Sequence, residues 1–260
     1  MIDLGSGTPI VLIPGIQGRW EWVRPAVDAL ARRQRVLAFS LCDERTSGFA
    51  CEPSQGFENY VTQVSQAMDR AGLRSAVVAG ISYGGLIASE YAARYPDRVS
   101  RLVLVSALPL GWTPDARVRL YLKAPRLFSP LFVLSAPGRL RAEFAAALPG
   151  MVKRVRAKAR HAMRVVRAPM SPRLMARRVR WAEQHRFADP GSVKAPALVV
   201  TGEPELDRIV PVEATRWYLD QLRSAEHVVI EHTGHLGIVT RPDAFADALE
   251  RFVNADRIPA

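Results

Sequence analysis

A chain of 260 residues is long enough for one sizeable domain with an insert, and 48% hydrophobic with 23% charged residues is an ordinary folded composition, which excludes a wholly disordered chain. No run approaches the roughly 20 apolar residues that a helical membrane span needs. The net charge of +11 is unevenly placed: residues 115–188 hold 18 Lys and Arg against Asp115, Glu143 and Glu183, whereas the remainder holds 18 basic and 22 acidic residues.

The N-terminal stretch MIDLGSGTPIVLIPG has no basic leader and its apolar run is broken by Gly and Pro, so a cytoplasmic location is expected. Pro9 to Ile13 form a short apolar run of the kind that makes a buried parallel strand, leading into Pro14-Gly15-Ile16-Gln17-Gly18. Residues 20–33 show helical spacing (Trp22, Val23, Ala26, Val27, Leu30), and 35–41 predict a second strand. The polar loop that follows carries the only cysteines, Cys42 and Cys51, expected as a reduced pair. Phe57, Tyr60, Val61, Val64 and Met68 then mark one side of a helix that Gly72 ends.

Residues 74–95, RSAVVAGISYGGLIASEYAARY, are the centre of the pattern. The run Ala76 to Ala79 passes through Gly80-Ile81-Ser82-Tyr83-Gly84-Gly85 directly into helical spacing, which is a strand, a sharp turn and a helix. A serine in such a turn needs neighbours without side chains, supplied by Gly80 and Gly84. Its hydroxyl stands above the sheet edge, and the Tyr83 amide lies at a helix N-terminus, where an oxyanion is favoured.

At these residues the sequence resembles the nucleophile elbow of the α/β-hydrolase superfamily. The resemblance implies serine-hydrolase chemistry with Ser82 as nucleophile, and it makes the Ile16 amide the second oxyanion donor beside Tyr83, although Pro14 stands where the family commonly has His. Gln17 is placed to reach the pocket. Repeated strand and helix through residues 99–105 predicts an α/β fold, a doubly wound, mostly parallel sheet with helices on both faces.

From 108 to 188 no convincing strand appears, and prolines punctuate helical runs. By resemblance this is an arginine-rich helical cap inserted into a core of residues 1–107 and 189–260. Trp112, Tyr121, Leu122, Phe128, Phe132 and Trp181 are its candidates for a substrate pocket. Residues 150–168 align Met151, Val152, Val155, Ala159, Ala162, Met163 and Val166 along one side and seven Lys and Arg elsewhere, a basic amphipathic helix that could meet an anionic membrane surface. No nucleic-acid motif accompanies these charges.

The sheet resumes at 196–201, followed by helix 212–222, strand 227–230 and a last helix near 242–253. A serine hydroxyl needs a base near neutral pH and a group to orient that base. Of five histidines, His235 in Thr-Gly-His-Leu-Gly after the final strand resembles the family's Gly-His motif, with His232 as competitor. Asp207 meets the family's Asp-x-x-x-Pro pattern with Pro211, although the gap from Gly202 is two residues longer than usual; Glu203 and Glu205 are the alternatives. No metal-ligand spacing is present, so no metal or cofactor is expected. The expected activity is carboxylic ester hydrolysis, with lactonase, C–C bond hydrolase, acyltransferase or a ligand-binding non-enzyme as alternatives.

Overall fold

The computed structural model describes residues 1–255, with the side chains at 117 and 129–137, and hence that of Phe132, outside the described set. Seven strands, β1 (Ile2–Leu4), β2 (Pro9–Ile13), β3 (Arg35–Ala38), β4 (Ala76–Ile81), β5 (Val99–Val105), β6 (Ala197–Thr201) and β7 (Ala225–Val229), form one sheet in the order β1-β3-β2-β4-β5-β6-β7. Every pairing is parallel except that of β1 with β3. β1 has no apolar run to announce it, because as a three-residue edge strand it is largely exposed.

Alternate residues of the central strands enter opposite cores. Val11 and Ile13 join one cluster and Ile10 and Leu12 the other, which is why these strands read as unbroken apolar runs. α1 (Arg24–Leu30) and α10 (Pro242–Asn254) cover one face. α2 (Glu58–Arg70), α3 (Tyr83–Arg94) and α8 (Val212–Gln221) cover the other. The single helix expected over 20–33 is divided: Trp20–Val23 is a 3₁₀ turn and α1 starts with Pro25 in its first turn, where a missing N–H costs nothing.

Between β5 and β6 lie α4 (Ala116–Lys123), α5 (Pro125–Ala147), α6 (Met151–Arg167) and α7 (Pro172–Gln184). The Asp115 carboxylate caps α4 through the Val118 amide (2.7 Å), and the Ser171 hydroxyl caps α7 through that of Leu174 (3.4 Å). A short α9 (Gly237–Thr240) follows the final strand's loop. Cys42 and Cys51 are free thiols. Among the described residues no helix is long and apolar enough to cross a membrane.

Candidate active site

The C-terminal ends of β2, β4, β6 and β7 deliver the side chains that matter, as parallel sheets with helices on both faces generally do. Ser82 follows β4 with φ 53° and ψ −117°, a conformation costly for any residue with a Cβ. Its amide donates to the Val105 carbonyl (2.8 Å), and its own carbonyl accepts from Gly85 (2.9 Å). The flanking glycines are demanded by close approach. A Cβ at Gly80 would collide with the Gly84 carbonyl, and one at Gly84 would lie 2.6 Å from the carbonyls of Ile13 and Pro14. Strand and helix can therefore cross only where both positions lack side chains.

Asp207 lies in the loop after β6, buried, with Oδ1 accepting the amides of Ile209 and Val210 at 3.0 Å each. Its Oδ2 stands 3.3 Å from His235 Nδ1. Burial by itself would raise the Asp207 carboxyl, but the His235 hydrogen bond and charge and the two amides outweigh it and hold the group below its ordinary range. The loops bearing these residues touch at Gly234, where a Cβ would run into the Leu206 carbonyl. Glu203 is engaged elsewhere, its carboxylate accepting the His232 amide (2.7 Å) and its amide donating to the Thr233 carbonyl (2.7 Å), which braces the histidine loop. Glu205 is exposed, and the His232 side chain, 62% exposed, lies outside the cavity wall.

Ser82 and His235 line one cavity of about 510 Å³, together with Ile16 and Gln17 from the β2 loop. No hydrogen bond joins the serine hydroxyl to the imidazole among the described residues. Among the described residues, neither the Ile16 nor the Tyr83 amide donates to a turn or loop carbonyl. The Tyr83 side chain is wholly buried, its hydroxyl donating to the Arg178 carbonyl (2.9 Å).

The expectation for the aromatic pocket needs correction. Gln17 lines the cavity, but Trp112, Tyr121 and Trp181 do not, nor do Leu122 and Phe128. Trp181 packs on Tyr60 (5.6 Å) beneath the Arg177 guanidinium (4.7 Å), Trp112 packs half-buried against the sheet core, and Tyr121 meets Phe128 (6.3 Å). Trp181 and Trp112 both pack against residues of the sheet core. The insert's share of the cavity wall includes the apolar side chains of Leu140 and Phe144 of α5, Val165 of α6, and Met170 and Met175, beside the polar Arg139, Lys158 and His161. Among the described residues, Glu58, Glu90 and His185 are the one trio whose ligand atoms lie within 4.8 Å of one another. They are engaged already, Glu58 with Arg94 (2.6 Å) and Glu90 with His185 (3.2 Å) and the Ala188 amide (2.8 Å).

A family model described as alpha/beta hydrolase fold matches residues 8–242. The chain belongs to this family. It is 25% identical over 267 residues to the 2-hydroxy-6-oxo-2,4-heptadienoate hydrolase of Pseudomonas putida, a match covering 98% of this chain and 92% of that one. It is 34% identical to RutD of Azorhizobium caulinodans over 108 residues, which span only 42% of this chain and 39% of RutD. Among solved structures, the enol-lactonase of Burkholderia xenovorans LB400 superposes with TM-score 0.78 at 22% identity, covering 97% of this chain and 95% of that one. That last likeness is one of fold.

Two residues at the candidate site went unread in the sequence. His161 of α6 lines the cavity, edge-on to Trp22 (5.9 Å); burial, aided by Arg164, pushes its pKa down to about 4, so the ring is neutral. Glu143 of α5 is 1% exposed and faces the Gly234 and Leu236 amides of the histidine loop without completing a hydrogen bond to either. Its signal was a lone acid beside Phe144 and three alanines in a basic segment. Burial pushes its carboxyl up to about 7, with those two amides pulling against it. A raised carboxyl contributes stability fully present below the ordinary value of 4.5 and lost as pH rises through about 7. Thermal unfolding measured from pH 5 to pH 8 should therefore show a loss, on the order of 3 kcal/mol at most, that Glu143→Gln removes; parallel profiles for the two proteins would contradict this.

Proposed function

We propose that this hydrolase cleaves carboxylic esters through an acyl-enzyme on Ser82. His235 takes the serine proton as the hydroxyl attacks the ester carbonyl, then returns it to the departing alcohol. Asp207 orients the ring through Nδ1 and stabilises the imidazolium. The Ile16 and Tyr83 amides receive the oxyanion, and Tyr83's position at the N-terminus of α3 adds the helix dipole. Water activated by His235 then releases the acid. The Ser82–His235 hydrogen bond closes when substrate is engaged, as catalytic bonds often do.

The observation that carries this reading is that His235, held by the buried Asp207, opens onto the same cavity as a serine in a strained elbow. Leu140, Val165, Met170 and Met175 give the insert's side of the wall an aliphatic and thioether surface, which suits an apolar acyl chain, and the cavity size falls within the range of small-molecule sites. Helices α4 to α7 act as the cap that encloses it.

One observation favours a second reading. Lys158 lines the cavity and, among the described residues, no carboxylate does, so a substrate carrying its own carboxylate would be matched there. Together with end-to-end similarity to the heptadienoate hydrolase, this supports cleavage of a C–C bond beside a ketone by the same residues. A panel of p-nitrophenyl esters from acetate to palmitate, an enol-lactone and a dienoate diketone, with mass analysis of the quenched enzyme, separates the two. The first reading expects turnover of esters and an acyl adduct on the Ser82 peptide. Turnover confined to the diketone would replace it by the second.

A further inference from the structure

Helix α6 turns its apolar side to water. Its 17 residues include Lys153, Arg154, Arg156, Lys158, Arg160, Arg164 and Arg167 and no acid. Its large apolar residues gather on one side, and burial against a core would be the ordinary fate of such a stripe. Instead Met151 is 78% exposed, Val152 70%, Val155 60% and Val166 73%, and no residue of α6 is buried. The side that faces the protein is mainly polar, with Val165 the large apolar exception. Arg154 Nε donates to the Leu148 carbonyl (3.1 Å), His161 stands against Trp22, and the Trp22 indole donates to the carbonyl of Ala168, just past the helix (2.8 Å).

Three further facts choose among the surfaces that could cover the stripe. Lys153, Arg156, Arg160 and Arg167 border it on one side and Lys158 on the other, the arrangement of a helix lying in a bilayer interface, apolar side down and cations at the headgroups. Outside residues 115–188 the chain has four more acids than bases, so an anionic surface attracts this face and repels the rest. Val166 both belongs to the exposed stripe and lines the cavity, which brings the stripe to the cavity rim. A second copy meeting the same stripe would set one basic helix against another, and a nucleic acid would leave the apolar residues in water.

We propose that α6 docks this hydrolase on anionic lipid bilayers, with Met151, Val152, Val155 and Val166 immersed and the cavity rim at the lipid surface. Docking goes beyond ester hydrolysis and does not require it. The test is co-sedimentation of the full chain with phosphatidylcholine vesicles with and without phosphatidylserine, across a salt series. The expected result is pelleting that depends on phosphatidylserine and falls steeply with salt. Val152→Asp/Val155→Asp should abolish it, and Lys153→Glu/Arg156→Glu/Arg160→Glu should weaken it by at least about tenfold, while both variants hydrolyse a short water-soluble ester as the parent does. Ser82→Ala should pellet like the parent, so a failure of the hydrolytic reading leaves docking standing. Pelleting indifferent to phosphatidylserine, or unchanged in the Asp variant, would overturn the proposal. So would a dimer in sedimentation velocity that the Asp variant dissociates, which would assign the stripe to a second copy.

Discussion

Ser82→Ala should lower ester turnover by at least about 10⁴-fold, because without the hydroxyl neither the acyl-enzyme nor the proton path through His235 exists. The fold should be untouched, since the backbone bonds of residue 82 to Val105 and Gly85 do not use the side chain. A second substitution sharpens the result. Ser82→Gly removes the same nucleophile but also the strain of a Cβ at φ 53°, so it should be equally inactive and more stable than Ser82→Ala by about 1–3 kcal/mol. Steady-state rates on a p-nitrophenyl ester, with urea unfolding of all three proteins, read both effects. An alanine variant within tenfold of the parent rate would remove Ser82 from the chemistry.

Replacing Arg178 by methionine should cost about 3–5 kcal/mol of stability. The guanidinium is 0% exposed and holds Asp43 Oδ1 and Glu44 Oε1, each at 2.6 Å through Nη2, and the Ile16 carbonyl at 2.7 Å through Nη1. Burial already pushes the Glu44 carboxyl up, with Arg178 opposing it; removing the cation leaves two buried acids without their main partner. Arg178→Met/Asp43→Asn should recover part of the loss, because it deletes one of the stranded charges. Arg178 also ties the insert to both proposed oxyanion donors: its side chain holds the Ile16 carbonyl, and its own carbonyl accepts the Tyr83 hydroxyl. Under conditions where the variant is folded, kcat should therefore fall more than KM rises. A shift in unfolding free energy below about 1 kcal/mol would show that the buried cluster contributes little.

Much of the candidate site was legible because its steric requirements are local. A strand that turns sharply into a helix around a serine needs Gly80 and Gly84 within two residues on either side, so the elbow is written in five consecutive positions. His235 was marked by Gly234, and the reason is contact: that glycine is where the histidine loop passes the Leu206–Asp207 backbone. Asp207 was chosen over Glu203 and Glu205 by its distance from Pro211, and despite the two-residue lengthening of its loop its carboxylate lies 3.3 Å from His235. The parallel strands were readable because residues on both faces of each are buried.

What sequence could not decide was which way side chains face once helices of the insert meet the sheet domain. Trp112, Tyr121 and Trp181 look like pocket residues by type, yet their positions put them against the sheet core or against neighbouring insert helices, while Phe144 and His161 reach the cavity. Arg178 is indistinguishable in sequence from its neighbours Arg177 and Arg180, and only the fold brings Asp43, Glu44 and Ile16, more than 130 positions away, around its guanidinium. The periodicity of α6 specified an apolar stripe but not its direction, because hydrophobic spacing gives the phase of a helix and not the side on which its partner lies. Local geometry and its steric demands were set by the order of residues; orientation across the insert was set by long-range packing, which no short window of sequence contains.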